Sequence, residues 1–204
     1  MTAELTSKIR RLYLALAQVR NGDVLQVRPQ RRNLPTGFAW TVDFNQGKSA
    51  EELQDRAFNL IANIASIKDH LKNYCDARGK PFGGEKLINS NLNVALVHDL
   101  WNADKHGSLD HSRSGKFPRL SELQQGLVLS AGTQVGSAVS LQMDMSGNIK
   151  VEADGGGKAE LVLDGNVVDF TGNRIGGFQD ICEVAVEAWS KELSAAGIPV
   201  ALIW

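Results

Sequence analysis

Apolar side chains recur at three- and four-residue steps through most of the first hundred residues and at two-residue steps through much of the second half of the chain. The first spacing is that of a helix with one buried stripe, and the second that of a strand with one buried face. Leu5, Ile9, Leu12, Leu16 and Val19 predict a helix over 2–19, ended by Asn21-Gly22. From 23 to 48 Pro29, Pro35, Gly37 and Gly47 interrupt any period, so this stretch reads as a long connection with a single strand at 38–44. Ser49-Ala50-Glu51-Glu52 has the spacing of a capping box, which starts a second helix at Ala50. Its stripe, Leu53, Ala57, Leu60, Ile61, Ile64, Ile67, Leu71 and Cys75, ends before Gly79 and Pro81.

A third helix is predicted over 85–105, stopped by Gly107, with Leu87, Ile88, Leu92, Leu96, Val97, Leu100 and Trp101 on its apolar side. Its other side stacks Asn91, Ala95, His98, Asn102 and then Lys105 or His106 along one stripe. Residues 108–117 read as a mobile linker. Strands are predicted at 126–131, 134–145, 148–153, 158–163 and 166–170, separated by Gly132, Ser146-Gly147, Gly155-Gly156-Gly157 and Asp164-Gly165-Asn166. A final amphipathic helix over 177–196 is expected to cover the apolar face of that sheet. The expectation is therefore an α+β protein: an N-terminal helical domain over 1–112, then a small antiparallel β-meander with a C-terminal helix over 113–204.

Composition narrows the function classes only slightly. A formal net charge of -1 over 204 residues gives no overall attraction to nucleic acid or membrane, so such binding would need a local patch. Arg28, Arg31 and Arg32 form a short basic cluster that reads as a solvated face. Two widely separated cysteines, Cys75 and Cys182, each inside a helical pattern, read as buried thiols. The first twenty residues carry charges throughout, unlike a signal peptide, and no apolar run approaches the ~20 residues of a membrane span. The expected compartment is the cytoplasm.

Chemistry-bearing residues concentrate in Asn102-Ala103-Asp104-Lys105-His106-Gly107. The glycine-rich stretches read as turns, since neither has the strand, spacing or Lys-Ser/Thr of a phosphate loop. No metal site is expected: His98 and His106 are eight residues apart on one helix, about 12 Å. No serine sits in a nucleophile elbow. A purely structural account of the cluster exists, in which Lys105 and His106 face the unpaired carbonyls of the helix end. Against it, Asn102 and His106 are an i, i+4 pair continuing the polar stripe through His98, and a polar stripe in a helical bundle needs partners or a ligand.

Asn102-x-x-x-His106-Gly107, near the end of a helix, resembles the Arg-Asn-x-x-x-His motif of the HEPN superfamily, over about the first 110 residues. Members are small helical bundles, many of them RNases of bacterial defence and toxin-antitoxin systems. In those families arginine and histidine from two subunits line a cleft at a dimer interface and cleave RNA without metal. The resemblance implies that His106 serves as the base, Asn102 orients the site and Lys105 binds phosphate. It also implies a homodimer and an RNA or protein partner, with no cofactor. Here Trp101 stands where the motif has arginine, and a lysine such as Lys105 cannot offer its bidentate fork. His98, Asp104, His70 and Arg113 are the further candidates for binding. The expected function is a non-catalytic interaction role; the alternative is a metal-independent RNase using His106 with Lys105 and Asn102.

Overall fold

The computed structural model describes residues 17–19, 24–45, 47–144, 146 and 148–198. Of these, residues 54–123 and 165–198 form one compact unit, and residues 17–53 and 124–164 another. The chain is α+β with antiparallel sheets.

The helices belong to the first unit, apart from the first turn of the one that starts at Ala50. α1 spans Ala50–Asp76 and begins where the capping box places it: Ser49 N–H donates to Glu52 Oε2 at 2.7 Å, and Glu52 N–H donates to Ser49 Oγ at 3.2 Å. Its stripe is buried as expected at Leu53, Ala57, Ile61, Ile64, Ile67, Leu71 and Cys75. The single helix expected over 85–105 is two, α2 (Gly84–Ser90) and α3 (Leu92–His106). Asn91 leaves the helical conformation, at φ -118° and ψ 112°, and caps α3 by accepting from the backbone N–H of Asn93 and Val94 at 3.0 and 3.2 Å. Its own N–H closes α2 on Leu87 O. The break skips no apolar position, which is why the period alone runs straight through it. Asn91→Ala is expected to lower stability by about 1 kcal/mol in urea denaturation, the usual cost of losing an N-cap acceptor.

α4 (Phe178–Ala195) packs mainly on α3, with smaller contacts to α2 and to the strand of 174–177 that leads into it, so it covers the sheet that was expected beneath it only at that strand. Ile181, Cys182, Ala185, Trp189 and Leu193 are its buried face. Trp189 is fully buried in this packing, and a Cβ at Gly84 would run into the Phe82 ring and stand 3.3 Å from that of Trp189, so the start of α2 is crowded enough to favour glycine.

The strands are more numerous than the period predicts. The helix expected over 2–19 lies outside the described residues up to 16, and its last three residues are a strand instead. This is β1 (Ala17–Val19), whose backbone groups pair antiparallel with 159–161. The single strand expected at 38–44 is one of three in this stretch: β2 (Val24–Gln26), β3 (Arg28–Leu34) and β4 (Gly37–Asp43), with β3 and β4 a hairpin about Pro35-Thr36. The arginine cluster thus lies in β3. Beyond α3 come β5 (Arg119–Ser130), β6 (Ala138–Met143), β7 (Asn148–Asp154), β8 (Lys158–Val168) and β9 (Arg174–Gly177). They divide between two sheets: β2-β7-β6, and β1-β8-β5 with β9 also on β8. Leu25, Val27, Ile149, Val151, Ala159 and Leu161 form the core of the second unit.

The turn expected at Asp164-Gly165-Asn166 is absent, and β8 runs through it. Gly165 serves close strand approach, since a Cβ there would lie 2.9 Å from the Ser121 carbonyl. Two real turns share one pentapeptide pattern, Asp-x-Ser/Thr-Gly-Asn, at 144–148 and 169–173. In each the aspartate N–H donates to the asparagine carbonyl, at 3.0 and 2.9 Å. Its Oδ1 accepts from the backbone N–H two and four residues on. Among the described residues no helix is long and apolar enough to cross a membrane.

Candidate functional site

α3 supplies most of the candidate residues and sorts them by depth. Its central run, Val94 to Leu100, is buried without interruption and includes two polar side chains, His98 and Asp99. The helix surfaces beyond Trp101 and ends on Gly107, whose left-handed φ of 72° is the usual helix stop.

His98 lies between two indoles, 6.2 Å from the centroids of both Trp101 and Trp189. Its Nε2 and the Trp189 Nε1 are buried without a hydrogen-bond partner among the described residues. Burial pushes its pKa down from 6.5 to about 4, helped by Lys68 and Arg113 and opposed by Asp69 and Glu85. The ring is neutral at pH 7. It belongs to the core of the helical unit and does not reach the end of α3.

Asp99, absent from the sequence-based candidates, is fully buried and accepts four hydrogen bonds. Its Oδ1 accepts from Arg113 N–H at 2.8 Å. Its Oδ2 accepts from Ser112 Oγ at 2.6 Å, Ser114 N–H at 2.9 Å and Ser114 Oγ at 2.6 Å. Residues 108–117, expected to be a mobile linker, are therefore pinned by a fully buried carboxylate. Such a charge is tolerable in a core only when its lone pairs are filled, and four donors fill them. Ser112 Oγ in turn accepts from the N–H of Lys116 and of Phe117, at 3.1 and 3.2 Å. Arg113, meanwhile, turns to Glu85, which also holds Lys68, at 2.9 and 2.6 Å. Those two cations hold the Glu85 carboxyl below its ordinary range.

At the end of α3, Asp104, Lys105 and His106 are exposed and Asn102 is half-buried. Lys105 Nζ stands 5.2 Å from the centroid of the Trp101 ring, a cation over an aromatic face. Asn102 and His106 make no hydrogen bond or ion pair within the described residues, so neither is joined to Arg113 or His70. His70 is half-buried on α1. The expected candidates are thus not one cluster: Asn102, Asp104, Lys105 and His106 share the helix end, while His98, Arg113 and His70 have separate surroundings.

Beside that helix end lies a pocket of about 510 Å³, lined among others by Ala103, Gly107, Leu109, Phe117, Arg119 and Phe170. Phe117 and Phe170 meet edge to face, with centroids 6.4 Å apart, and remain 37% and 62% exposed. Arg119 Nη2 donates to Phe170 O at 3.1 Å, and Phe170 N–H to Lys116 O at 3.2 Å, which ties the two walls together. Phe117 has φ 49°, a left-handed conformation costly for an aromatic residue. Sequence reasoning missed this pocket because Phe170 comes from a turn more than fifty residues away and a backbone angle leaves no trace in composition.

The pocket edge is locally cationic. Arg119 lines the pocket, and Lys105 and Lys116 are close to it in sequence with Asp104 and Asp110 between, while the Arg113 guanidinium is taken up by Glu85. The nearby Asp169 carboxylate is turned into its own loop, where the Thr171 hydroxyl, then backbone N–H groups, hold it below its ordinary range. Among the described residues no group of three His, Cys, Asp or Glu side chains could hold a metal ion. The arrangement can therefore bind an anion beside an aromatic surface, with two exposed imidazoles, His106 and His111, close in sequence. Comparison with family models, with characterised proteins and with solved structures finds no match to this chain.

Proposed function

We propose that this chain is a non-catalytic binding protein with a HEPN-like helical unit, which engages an anionic partner at the C-terminal end of α3. RNA is the partner that the motif resemblance suggests. The observation that carries the reading is the pocket beside Gly107, where two exposed aromatic residues and Arg119 meet the helix end that carries the motif residues.

The same helix end lacks what cleavage requires. Metal-free scission of RNA needs a base aimed at the 2'-hydroxyl and a cation at the phosphorus, both held in place before reaction. His106 is exposed, and no side chain among the described residues orients its ring. Trp101 replaces the arginine, and its indole takes Lys105 as a cation–π partner. Loss of one preorganised charge-stabilising donor costs on the order of a hundredfold or more in rate. Binding needs only complementary charge and surface, which this end of the unit has.

The test is incubation of the protein with labelled RNA in chelator, run on a native gel and a denaturing gel beside His106→Ala. The expected result is a retarded but intact band with both proteins. Cleavage that His106→Ala abolishes would establish the metal-independent RNase instead, and RNA that is neither cut nor retarded would remove RNA as the partner.

A further inference from the structure

We propose that Phe117 and Phe170 are a stacking platform for an unpaired base of a single nucleic-acid strand, that Arg119 takes an adjoining phosphate, and that Asp99 is the positioning residue that holds the platform. This rests on the binding role proposed above and names the unit recognised at that site.

The argument starts from a misfit between residue and backbone. At φ 49° the position of Phe117 suits glycine, and a bulky side chain there is strained. Burial explains the phenylalanine only in part, because Phe117 keeps 37% of its surface exposed and its partner Phe170 62%. The surrounding structure nonetheless over-determines the conformation. Asp99, fully buried, fixes Ser112, whose Oγ accepts from Phe117 N–H, and Lys116 O accepts from Phe170 N–H. A strained, rigidly supported and exposed aromatic residue is better suited to meeting something outside the chain than to packing within it.

The chemistry of that partner is set by the walls. A ligand must offer a flat apolar face to one phenylalanine ring, with the other ring, at 84° to the first, bounding it edge-on, and negative charge to Arg119, with Lys116 and Lys105 near in sequence. Unpaired bases strung on a phosphate backbone have both, since aromatic platforms accept any base and cationic rims follow the backbone. A duplex hides its base faces in its own stack and presents only phosphates. A pocket of about 510 Å³ has room for roughly one nucleotide.

The experiment uses a fluorescein-labelled six-residue oligoadenylate and a duplex of the same length, titrated with the whole protein by anisotropy at several salt concentrations. The wild-type protein is expected to bind the single strand more tightly than the duplex. Phe170→Ala and Phe117→Gly should each weaken single-strand binding by roughly tenfold or more, the usual effect of losing one stacking surface. Phe117→Gly should meanwhile hold or raise the melting temperature, because glycine relieves the backbone strain. Arg119→Ala should reduce the salt dependence by about one phosphate contact. Ser112→Ala should weaken binding and Ser112→Thr, which keeps the hydroxyl, should restore it. If the wild-type protein binds the strand and Phe170→Ala and Phe117→Gly bind it equally well, the platform is overturned while the binding role stands. If it binds neither strand nor duplex, both fall. Should Phe117→Gly fail to fold, Phe170→Ala decides alone.

Discussion

Replacing Asp99 by alanine is expected to lower the unfolding free energy by roughly 3–5 kcal/mol, the range for removing one partner of a buried, fully hydrogen-bonded charge. The variant would leave Ser112 Oγ, Arg113 N–H, Ser114 N–H and Ser114 Oγ without their shared acceptor. Asp99→Asn should cost less, because an amide oxygen still accepts on one side while its NH2 faces donors on the other. Arg113→Ala is the informative contrast. Its ion pair with Glu85 is at the surface, with the two side chains 36% and 50% exposed, and should be worth no more than about 1 kcal/mol. Urea denaturation of the full chain measures all three, and amide exchange at Lys116 and Phe117 reports the loop directly. If Asp99→Ala costs no more than Arg113→Ala, the loop is held by something other than this carboxylate.

The ease with which each part can be read from sequence tracks the range of the forces that make it. α1 is legible because its start is written in four adjacent residues, Ser49 to Glu52, and its stripe repeats for about seven turns. The break between α2 and α3 is not, because Asn91 caps without disturbing the apolar phase. β3 is hidden because Arg28, Arg31 and Arg32 interrupt any alternation of apolar and polar positions. α4 is legible to within two residues at each end, but its packing partner is not, since an apolar face does not say whether it meets a sheet or a helix. At the site, the polar density of 102–106 is visible, but of that stretch only Ala103 lines the pocket. Asp99 escapes notice because it sits singly in an apolar run and its donors lie thirteen to fifteen residues onward, in a serine-rich stretch that reads equally well as linker. The strand pairings at residues 17–19 and 24–26 depend on partners more than a hundred residues away, which no local pattern encodes.

Acidification is expected to destabilise the wild-type protein by about 3 kcal/mol more than a His98→Gln variant between pH 7 and pH 4. Burial holds the folded-state pKa of His98 near 4, against about 6.5 for the exposed ring of the unfolded chain. Between those values the unfolded state binds the proton and the folded state does not. Stability therefore rises with pH across that interval, and the penalty is nearly complete at the folded value and levels off below it. Above pH 7 both states are neutral and His98 contributes no slope. Each pH unit between the two values is worth about 1.4 kcal/mol, which sets the size of the effect. The charges facing the ring divide in sign: Lys68 and Arg113 oppose the imidazolium, Asp69 and Glu85 favour it, and burial between Trp101 and Trp189 is the largest influence. Lys68→Met should therefore raise the midpoint only slightly, whereas opening the pocket around the ring with Trp189→Phe should raise it more. Titration of the His98 Cε1 proton by NMR reads the midpoint directly, and the difference in pH slope between wild type and His98→Gln reads its energetic consequence. A His98 midpoint at the ordinary 6.5 would mean that the ring is solvated in solution and that α3 and α4 do not enclose it.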